Sequence, residues 1–337
     1  MTRAVLVVEH AGPLVTFQDG GRPGRMRWGV PTSGPMDRVA HAAGNLALGR
    51  PAHSTAVEIS LAGLTVRCRE APLTVSVCGG AFHVDHEGRR CDPWHVLTLR
   101  PDETLEIAAG GWGAWCYLAV SGDLVARRWM GSTSTHVRAG LGGGIVRPGD
   151  ELVVESPTVG IELEGPIQAP PTSRPCRDIR AVLGPQQRWF TPHALEAFRS
   201  STFRVSSAFD RMGMRLDGPA LAVDGSLDLP STPVVRGAVQ VNGEGVATLL
   251  MADHQTTGGY PKIATALSSD AVRAAQLRPG DEVAFRPVEP EEAVRLVRLD
   301  AERLAGDLAA LADRPGVRSR RLLEADLIGS LTDEAPT

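Results

Sequence analysis

The sequence has few cysteines and no apolar segment long enough to cross a bilayer, and each absence excludes a class of protein. Its 337 residues include five cysteines, none in a Cys-x-x-Cys pair, so neither a disulfide framework nor a zinc site is indicated. The nine histidines show no paired ligand spacing, and we expect no metal. The missing apolar segment argues against membrane insertion. The composition indicates a soluble globular protein.

The net charge is also small, at -4, because 35 basic residues nearly balance 39 acidic ones. The arginines are spread along the sequence, which argues against nucleic acid as a partner because phosphate binding needs a clustered basic surface. The N-terminal stretch "MTRAVLVVEHAGPLVTFQDGG" contains only a five-residue apolar run, too short for a secretory signal, and we interpret it as a strand. We therefore expect a cytoplasmic protein.

What the sequence does contain is a series of short β-branched segments separated by turn residues, which predicts a mainly β fold. The 37 glycines and 25 prolines supply the turns that such a fold needs. The predicted strands include residues 64–68, 73–80, 95–99, 104–109 and 115–122. Three short helices are predicted at residues 36–49, 191–198 and 269–277, with N-termini marked by Asp37, Thr191 and Ser269.

A repeated turn gives the domain organisation. The segment "VRPGDELVV" at 146–154 returns as "LRPGDEVAF" at 277–285, and we predict that each copy closes one β-barrel. Between the copies, residues 156–178 are proline-rich and typical of a linker. After Pro290, apolar residues at helical spacing predict an amphipathic tail helix. We therefore predict domains at 1–165 and 172–290 and a helical tail at 291–337.

The segment "DHQTTGGYPKIATALSSD" at 253–270 places an unusually long polar block between two strand-like segments. Two glycines would let backbone amides approach a ligand closely, and the lysine offers a positive charge that can hold a carboxylate or phosphate. The block suits an anionic or amide-bearing small molecule, although a long structural hairpin explains it equally well. The residues concerned are Gln255, Thr257, Gly258, Gly259, Tyr260 and Lys262.

A second polar block, "TFQDGGRPGRMRWGVPTSGPMD" at 16–37, is a glycine-rich loop that leads into a helix N-terminus, where anions bind readily. Its candidate substrate-binding residues are Asp19, Arg22 and Asp37. Arg211, beside Asp210, can present its guanidinium to an acid or form a structural ion pair. The segment "GSTSTHVRAGLGGG" at 131–144 lacks the spacing of a phosphate-binding P-loop, so no nucleotide motif is visible.

These segments together resemble the biotin-dependent carboxyltransferase family, also called allophanate hydrolase subunit two, which includes the C subunit of 5-oxoprolinase. The resemblance implies two cyclophilin-like β-barrels and a companion subunit. It runs through nearly the whole sequence, in "TFQDGGRPGRMRWGVPTSGPMDRVAHAAGNLALG", "GSTSTHVRAGLGGG", "VLGPQQRWFTPHALEAF", "FDRMGMRLDGPAL" and "QTTGGYPKIATALSSDAVRAAQLRPGDEVAF".

The family has three branches. Bacterial 5-oxoprolinase uses ATP to open the lactam of 5-oxo-L-proline to L-glutamate. A second branch forms the carboxyltransferase part of urea carboxylase, which needs biotin, and a third antagonises a kinase inhibitor by binding alone. The resemblance implies an ATP-dependent 5-oxoprolinase subunit that is inactive alone. We expect a companion of the same type as the 5-oxoprolinase B subunit, a further lactamase-like A subunit, and ATP bound by the complex.

Under this reading the catalytic residues are expected in the polar block. Lys262 is expected to hold the acidic group of the substrate or its phosphorylated form, and Tyr260 with Gln255 to read the lactam, alongside Thr257.

The sequence also departs from the family pattern. Asn242 and Val246 stand where family members commonly carry proline, and Phe209 replaces a small residue. These departures leave the choice of amide or lactam open.

Overall fold

The structure, a computed structural model, describes residues 2–184, 186–224 and 229–324. The fold is mainly β, as predicted. The strands up to residue 166 are β1 (Arg3–Ala11), β2 (Thr16–Gln18), β3 (Ala56–Ile59), β4 (Leu64–Arg69), β5 (Leu73–Cys78), β6 (His83–His86), β7 (Arg89–Cys91), β8 (His95–Leu99), β9 (Thr104–Ala108), β10 (Cys116–Val120), β11 (Asp123–Leu124), β12 (Glu151–Glu155) and β13 (Gly165–Pro166).

The remaining strands and the helices follow in the same order. The strands are β14 (Asp178–Leu183), β15 (Thr202–Phe209), β16 (Gly213–Asp217), β17 (Thr232–Pro233), β18 (Ala238–Val241), β19 (Ala247–Leu250), β20 (Thr257–Gly258), β21 (Lys262–Ala266) and β22 (Glu282–Pro287). The α-helices are α1 (Arg38–Ala47), α2 (Pro192–Ser200), α3 (Ser268–Ala274), α4 (Pro290–Ala312) and α5 (Pro315–Glu324). All five strands predicted in the first half are present with nearly the predicted bounds.

The N-terminal half contains two facing sheets. One has the strand order β11-β12-β1-β4-β9-β6-β7 and the other the order β13-β8-β5-β10-β3-β2. Side chains of both sheets meet in a shared apolar core. Strand β4 alternates buried and partly exposed residues because one of its faces lies toward that core. Strand β5 is buried throughout because α1 covers its other face, where the Ser76 hydroxyl donates to the Gly44 carbonyl at 2.8 Å.

The C-terminal half contains a closed seven-stranded barrel with the order β14-β21-β18-β19-β16-β15-β22. Its closing pair, β14 with β22, is parallel, and its other pairs are antiparallel. Phe198 of α2 stacks on Phe285 with ring centroids 4.5 Å apart, and Phe203 packs against both rings inside the barrel. In the N-terminal half, by contrast, the strands form two sheets rather than one closed sheet. The division into separate domains stays a prediction.

The repeated sequence forms the same turn twice. The backbone N–H of Arg147 donates to the Asp150 carboxylate at 2.8 Å, and that of Arg278 donates to the Asp281 carboxylate at 2.9 Å. Gly149 and Gly280 each adopt a positive φ, at 89° and 94°. Each turn then bonds a long strand of its own half, β1 or β15, through a matching pair of backbone hydrogen bonds, to Val8 and to Val205.

The helices largely follow the predicted N-terminal signals. The Asp37 carboxylate accepts from the N–H groups of Val39 and Ala40 to cap α1, and Thr191 caps α2. The prediction that Ser269 caps α3 is wrong, because α3 begins one residue earlier and the Ser269 hydroxyl donates instead to Asp300 of α4 at 2.7 Å. The described part of the tail contains two helices where one was predicted, and residues 325–337 of the predicted helical tail lie outside the described residues. Among the described helices, none has the length and apolar character needed to cross a membrane.

Side chains from the barrel half fasten the two halves together. The amide oxygen of Gln276 accepts from the N–H groups of Ala114 and Trp115, at 2.8 and 3.0 Å. The amide nitrogen of Gln276 donates to the Asp37 carboxylate at 2.7 Å and to the Trp115 carbonyl at 3.0 Å. The Arg278 guanidinium donates to the carbonyls of Gly110 and Gly113. All the hydrogen-bonding capacity of the Gln276 amide nitrogen and oxygen is therefore used across the junction.

Candidate functional site

The polar block at 253–262 contributes one strand of a two-stranded ribbon and then begins a barrel strand. Strand β20 pairs with β17, so Gly258 lies opposite Thr232 and Thr257 opposite Pro233. Strand β21 then begins at Lys262 and pairs with β18 of the barrel. The block is therefore not the simple hairpin of the structural alternative, because the strands it connects, β19 and β21, lie on opposite sides of β18. It lies over polar side chains of the barrel.

Lys262 is a partly buried cation at the base of this ribbon. Its ammonium donates to the Thr232 hydroxyl at 2.6 Å, and its backbone N–H donates to the Gln186 side chain at 2.8 Å. Burial lowers the pKa of Lys262 from its ordinary value. Among the residues that the structure describes, no carboxylate lies within ion-pairing distance of the ammonium. The charge is therefore available to an anionic ligand.

The composition of the chain marks Lys262 in a second way. It is the only lysine in the chain, beside 34 arginines, since lysine and arginine together number 35. A sequence that uses arginine for almost every cation keeps lysine here. Because the ammonium is a compact point charge and the guanidinium a broad planar fork, the two are not interchangeable in a confined site.

Gln240 was not predicted from the sequence, and it lies at the centre of the cluster. Its amide oxygen accepts from the Gln255 amide nitrogen at 2.9 Å, and it pairs with Lys262 in the β18–β21 register. Gln240 is only 4% exposed, and its own amide nitrogen has no partner among the described residues. A Cβ atom on Gly258 would lie 2.6 Å from that nitrogen, so any larger residue there would force the Gln240 amide to move. A glutamine within the otherwise apolar "GAVQVNG" was the available signal.

The other residues of the block lie farther outside. Thr257 is exposed and Tyr260 is 51% exposed, whereas Gln255, Gly258 and Lys262 are partly buried. The nearest atom to a Cβ placed on Gly259 would be the Leu229 carbonyl oxygen, at 3.3 Å. The structure therefore gathers three of the predicted residues around Gln240 and leaves the tyrosine open to solvent or to another molecule.

Asp19, in the N-terminal block, organises the loop at 131–144. Its carboxylate accepts from the hydroxyls of Ser132 and Ser134 and from the N–H groups of Thr133 and Gly21, at 2.5 to 2.9 Å. Burial alone would raise the pKa of Asp19, but these four hydrogen bonds lower it below its ordinary value. Asp19 is therefore a buried anion whose bonds are made within the protein.

Arg22 joins the same two loops. Its guanidinium donates to the carbonyls of Trp129, at 3.0 Å, and of Ser134, and lies over the Trp129 ring at 5.4 Å. Burial lowers the pKa of Arg22, while the charges of Asp19 and Asp253 act in the opposite direction. Its hydrogen bonds therefore position the loops.

Arg211 forms an ion-paired clamp between the two halves. Its guanidinium donates to both oxygens of Asp253, at 2.8 and 3.0 Å, to Glu58, and to the Gly34 carbonyl at 2.8 Å. All four residues are buried. Burial alone would lower the pKa of Arg211, but Asp253 and Glu58 raise it, so the guanidinium remains charged. Arg211 is therefore a structural ion-pair residue, although its partners are Asp253 and Glu58 and not the adjacent Asp210, which accepts from the N–H groups of Met212 and Gly213. A role in substrate binding stays a prediction.

Asp37 is likewise occupied by the protein. Besides capping α1, its carboxylate accepts from Gln276, and its backbone N–H donates to the Tyr117 hydroxyl at 2.7 Å. That hydroxyl donates to Glu58 at 2.7 Å, which links Asp37 to the Arg211 clamp. Burial raises the pKa of Asp37, although its hydrogen bonds with Gln276 and the α1 amides oppose the shift.

The polar block at 253–262 begins at a residue of the Arg211 clamp, which also contacts Gly34 of the N-terminal block. Asp253, which receives Arg211, is followed by buried His254, whose ring nitrogen lies 2.6 Å from the Gln255 carbonyl oxygen. Burial lowers the pKa of His254. Gln255 then contacts Gln240. The clamp therefore fixes the start of the polar block, and what the cluster offers a ligand is one ammonium and two amide side chains.

The residues that depart from the family pattern have structural roles here. The Asn242 side chain accepts from the N–H groups of Glu244 and Val246, at 3.1 and 2.9 Å, and so forms the turn between β18 and β19. Phe209 packs edge-on against Trp115, with ring centroids 6.3 Å apart. Among the described residues, no group of three or more His, Cys, Asp or Glu side chains is placed to hold a metal ion.

Comparison with known proteins places this geometry in a family. The family model for the carboxyltransferase domain, subdomain A and B, matches residues 28–287. The chain is 33% identical to the C subunit of 5-oxoprolinase from Escherichia coli, over 90% of this chain and 98% of that protein. It is 32% identical to the C subunit of 5-oxoprolinase from Haemophilus influenzae, over 84% of this chain and 91% of that protein.

A solved structure shows the same fold in a larger protein. K. lactis urea amidolyase superposes with a TM-score of 0.79 at 23% identity, covering 91% of this chain. The chain spans 20% of the urea amidolyase chain, so it corresponds to one part of that protein. Since the family model covers most of the chain and the relatives match nearly end to end, the chain belongs to the family of carboxyltransferase domains with subdomains A and B.

Proposed function

We propose that this chain is the C subunit of an ATP-dependent 5-oxoprolinase, which opens the lactam of 5-oxo-L-proline to L-glutamate. The observation that carries the proposal is the match to the corresponding 5-oxoprolinase component of Escherichia coli over 98% of that protein. Urea amidolyases, by contrast, match this chain with only a small part of their own length. The same similarity makes carboxyl transfer to urea, with carboxybiotin as donor, the second candidate. A purely regulatory binding role is the third.

The polar cluster suits a lactam that carries a carboxylate. The Lys262 ammonium, which has no described carboxylate partner, can pair with the substrate carboxylate. The unpartnered amide nitrogen of Gln240 and the side chain of Gln255 can bind the lactam oxygen and N–H. ATP, bound by the assembled enzyme, would supply the phosphoryl group that activates the lactam oxygen before water breaks the C–N bond.

The openness of the cluster supports an enzyme of several chains. Tyr260 and Thr257 are exposed, so this chain alone leaves one side of the candidate site in contact with water. Hydrolysis of an activated intermediate is controlled best where bulk water is excluded. We therefore propose that a companion of the B type covers the cluster, that the lactamase-like A component takes part, and that the isolated chain is inactive. A cytoplasmic location is part of this proposal.

The reconstituted enzyme tests the function directly. The chain with both companions is expected to release glutamate and phosphate from 5-oxo-L-proline and ATP. Formation of carboxylated urea and biotin from urea and carboxybiotin would support the second candidate instead. Neither activity in a stable complex would support the regulatory role.

Lys262 gives the sharpest test of the site. Removing a charge-assisted contact to a developing anion lowers turnover by about 100-fold or more, so Lys262→Ala is expected to do so without disturbing assembly. Lys262→Arg keeps the charge but not the compact ammonium, and we expect it to remain at least about 10-fold impaired. Arg298→Ala, on the exposed side of α4, is the control and should leave turnover unchanged. Full activity in Lys262→Ala would show that the block has only a structural role.

The single lysine also permits a chemical measurement. Apart from the terminal amine, an amine-reactive acylating reagent has only Lys262 to modify. Modification, located by peptide mass spectrometry, should be slowed by 5-oxo-L-proline in the assembled enzyme if the ammonium holds the substrate. An unchanged rate with saturating substrate would contradict the assignment.

A further inference from the structure

Arginines that are dispersed in the sequence come together on one rim of the folded chain. Residues 20–36 and 124–145 contain three arginines each and no aspartate or glutamate, within a chain whose net charge is -4. Each group of three arginines is visible in the sequence, but only the fold brings the two loops side by side.

Hydrogen bonds at the bases of the loops fix that arrangement. The Arg22 N–H donates to the Thr32 carbonyl at 2.7 Å and closes the first loop. The Arg127 guanidinium donates to the carbonyls of Gly140 and Gly142, at 2.6 and 2.9 Å, and closes the second. The Arg22 guanidinium, bonded to the Trp129 carbonyl, joins one base to the other. The tips of both loops therefore project from a common, rigid origin.

The tips carry exposed apolar side chains among the arginines. Trp28 is 54% exposed and Met130 is 47% exposed. The guanidinium groups of Arg25 and Arg27 lie over the Trp28 ring, at 5.2 and 4.1 Å from its centroid. Stacking holds these long side chains in place before any partner arrives, which reduces the conformational entropy lost on binding. We call this set the arginine–tryptophan surface; it comprises Arg25, Arg27, Trp28, Arg127, Arg128, Met130 and Arg138.

We propose that the arginine–tryptophan surface is the docking face for an acidic surface of the companion subunit. Tryptophan, methionine and arginine are the residue types enriched in protein interfaces, and tryptophan and arginine dominate their binding energy. The cations of this surface form no ion pair with a described carboxylate, so a partner with carboxylates on its face would complement them. The identity of the partner rests on the proposed function.

A protein partner fits better than nucleic acid. Nucleic acid binding relies on many phosphate contacts and on a strongly basic domain, whereas this chain is acidic overall. The exposed apolar side chains of Trp28 and Met130, in loops that also carry arginines, combine the residue types that protein interfaces favour. The loop from 131 to 144 also reaches the barrel, where Arg138 contacts the sulfur of Met212, directly after Arg211 of the clamp. A partner seated on this surface would thus lie close to the junction of the two halves.

The proposal is tested by measuring how wild type and variants bind the purified companion subunit. Trp28→Ala is expected to raise the dissociation constant about 30-fold, as for a central aromatic anchor. Arg27→Glu with Arg128→Glu should slow association about 10-fold at low salt and have less effect at high salt. Arg298→Glu with Arg303→Glu on α4 makes the same change in net charge at exposed arginines and should bind as wild type.

Results that differ from these expectations also decide between the docking surface and the proposed function. Wild-type affinity in Trp28→Ala and in the Arg27→Glu, Arg128→Glu variant would overturn the docking surface while leaving 5-oxoprolinase activity, measured separately, as the test of function. A salt-sensitive complex without that activity would keep the surface and reject the function. Absence of any wild-type complex at micromolar concentration would overturn the surface. So would binding of fluorescent single-stranded DNA that the charge variant abolishes, or a self-dimer that Trp28→Ala dissociates.

Discussion

Replacing Arg211 by methionine tests the clamp that joins the two halves. The substitution removes the cation and all four of its hydrogen bonds while keeping a side chain of similar length. Glu58 and Asp253 would remain buried, at 0% and 2% exposure, with no cation to neutralise them. Breaking a buried ion pair by removing one partner costs about 3–5 kcal/mol, and here two carboxylates lose their partner. We therefore expect the free energy of unfolding to fall by at least about 4 kcal/mol.

Chemical denaturation monitored by tryptophan fluorescence and circular dichroism measures the loss. Arg215→Met is the matched control, because the Arg215 guanidinium is exposed and lies 3.9 Å from the exposed Glu244 carboxylate. Since exposed ion pairs contribute little, this substitution should change the free energy of unfolding by less than about 0.5 kcal/mol. Adding Glu58→Gln and Asp253→Asn to Arg211→Met should recover part of the loss, since the stranded charges are then removed. If Arg211→Met were as stable as wild type, the reasoning from buried charge would be wrong.

Two further perturbations follow from contacts around the site and α1. Gly258→Ala would place a methyl group 2.6 Å from the Gln240 amide nitrogen and should lower turnover of the assembled enzyme by about 10-fold or more. Gly259→Ala is the control, because the nearest atom to its methyl group would lie at 3.3 Å, and it should lower turnover much less. Equal losses in the two variants would contradict the role of Gln240. Burial lowers the pKa of His41 to about 4, so as the pH falls the imidazole is protonated in the unfolded chain before it is protonated in the folded chain. Between pH 7 and pH 5 the free energy of unfolding of wild type should therefore fall by about 2 kcal/mol more than that of His41→Gln. Urea unfolding at each pH measures the difference.

The strands were predictable because their signals are local. Strand β4 alternates buried and exposed positions over Leu64–Arg69, and Asp37 and Thr191 cap their helices from within the same turn. The start of α3 could not be predicted in the same way, because the Ser269 hydroxyl donates to Asp300, which lies 31 residues away. A sequence pattern that spans only a few residues cannot indicate such a distant partner.

The candidate site was only partly predictable for the same reason. The polar block marked Gln255, Gly258 and Lys262, but their meeting point, Gln240, belongs to a different strand and becomes central only through the β18–β21 pairing. Asp19 has the polarity of a ligand-binding residue, yet its carboxylate is occupied by a loop more than 110 residues later. Residue type indicates polarity, whereas only the fold shows whether that polarity is already used.

The bonds made by Gln276 limit how this chain can move during turnover. Opening the two halves like a hinge would break all four hydrogen bonds of that amide at once, together with those of Arg278 to the opposite half. A net cost of about 1 kcal/mol for each bond makes such an opening rare. Hinge motion between the two halves is therefore strongly disfavoured by the contacts at the junction. Moving the short β17–β20 ribbon, whose paired strands are only two residues long, breaks fewer of these contacts and is the less costly way to change access to Lys262.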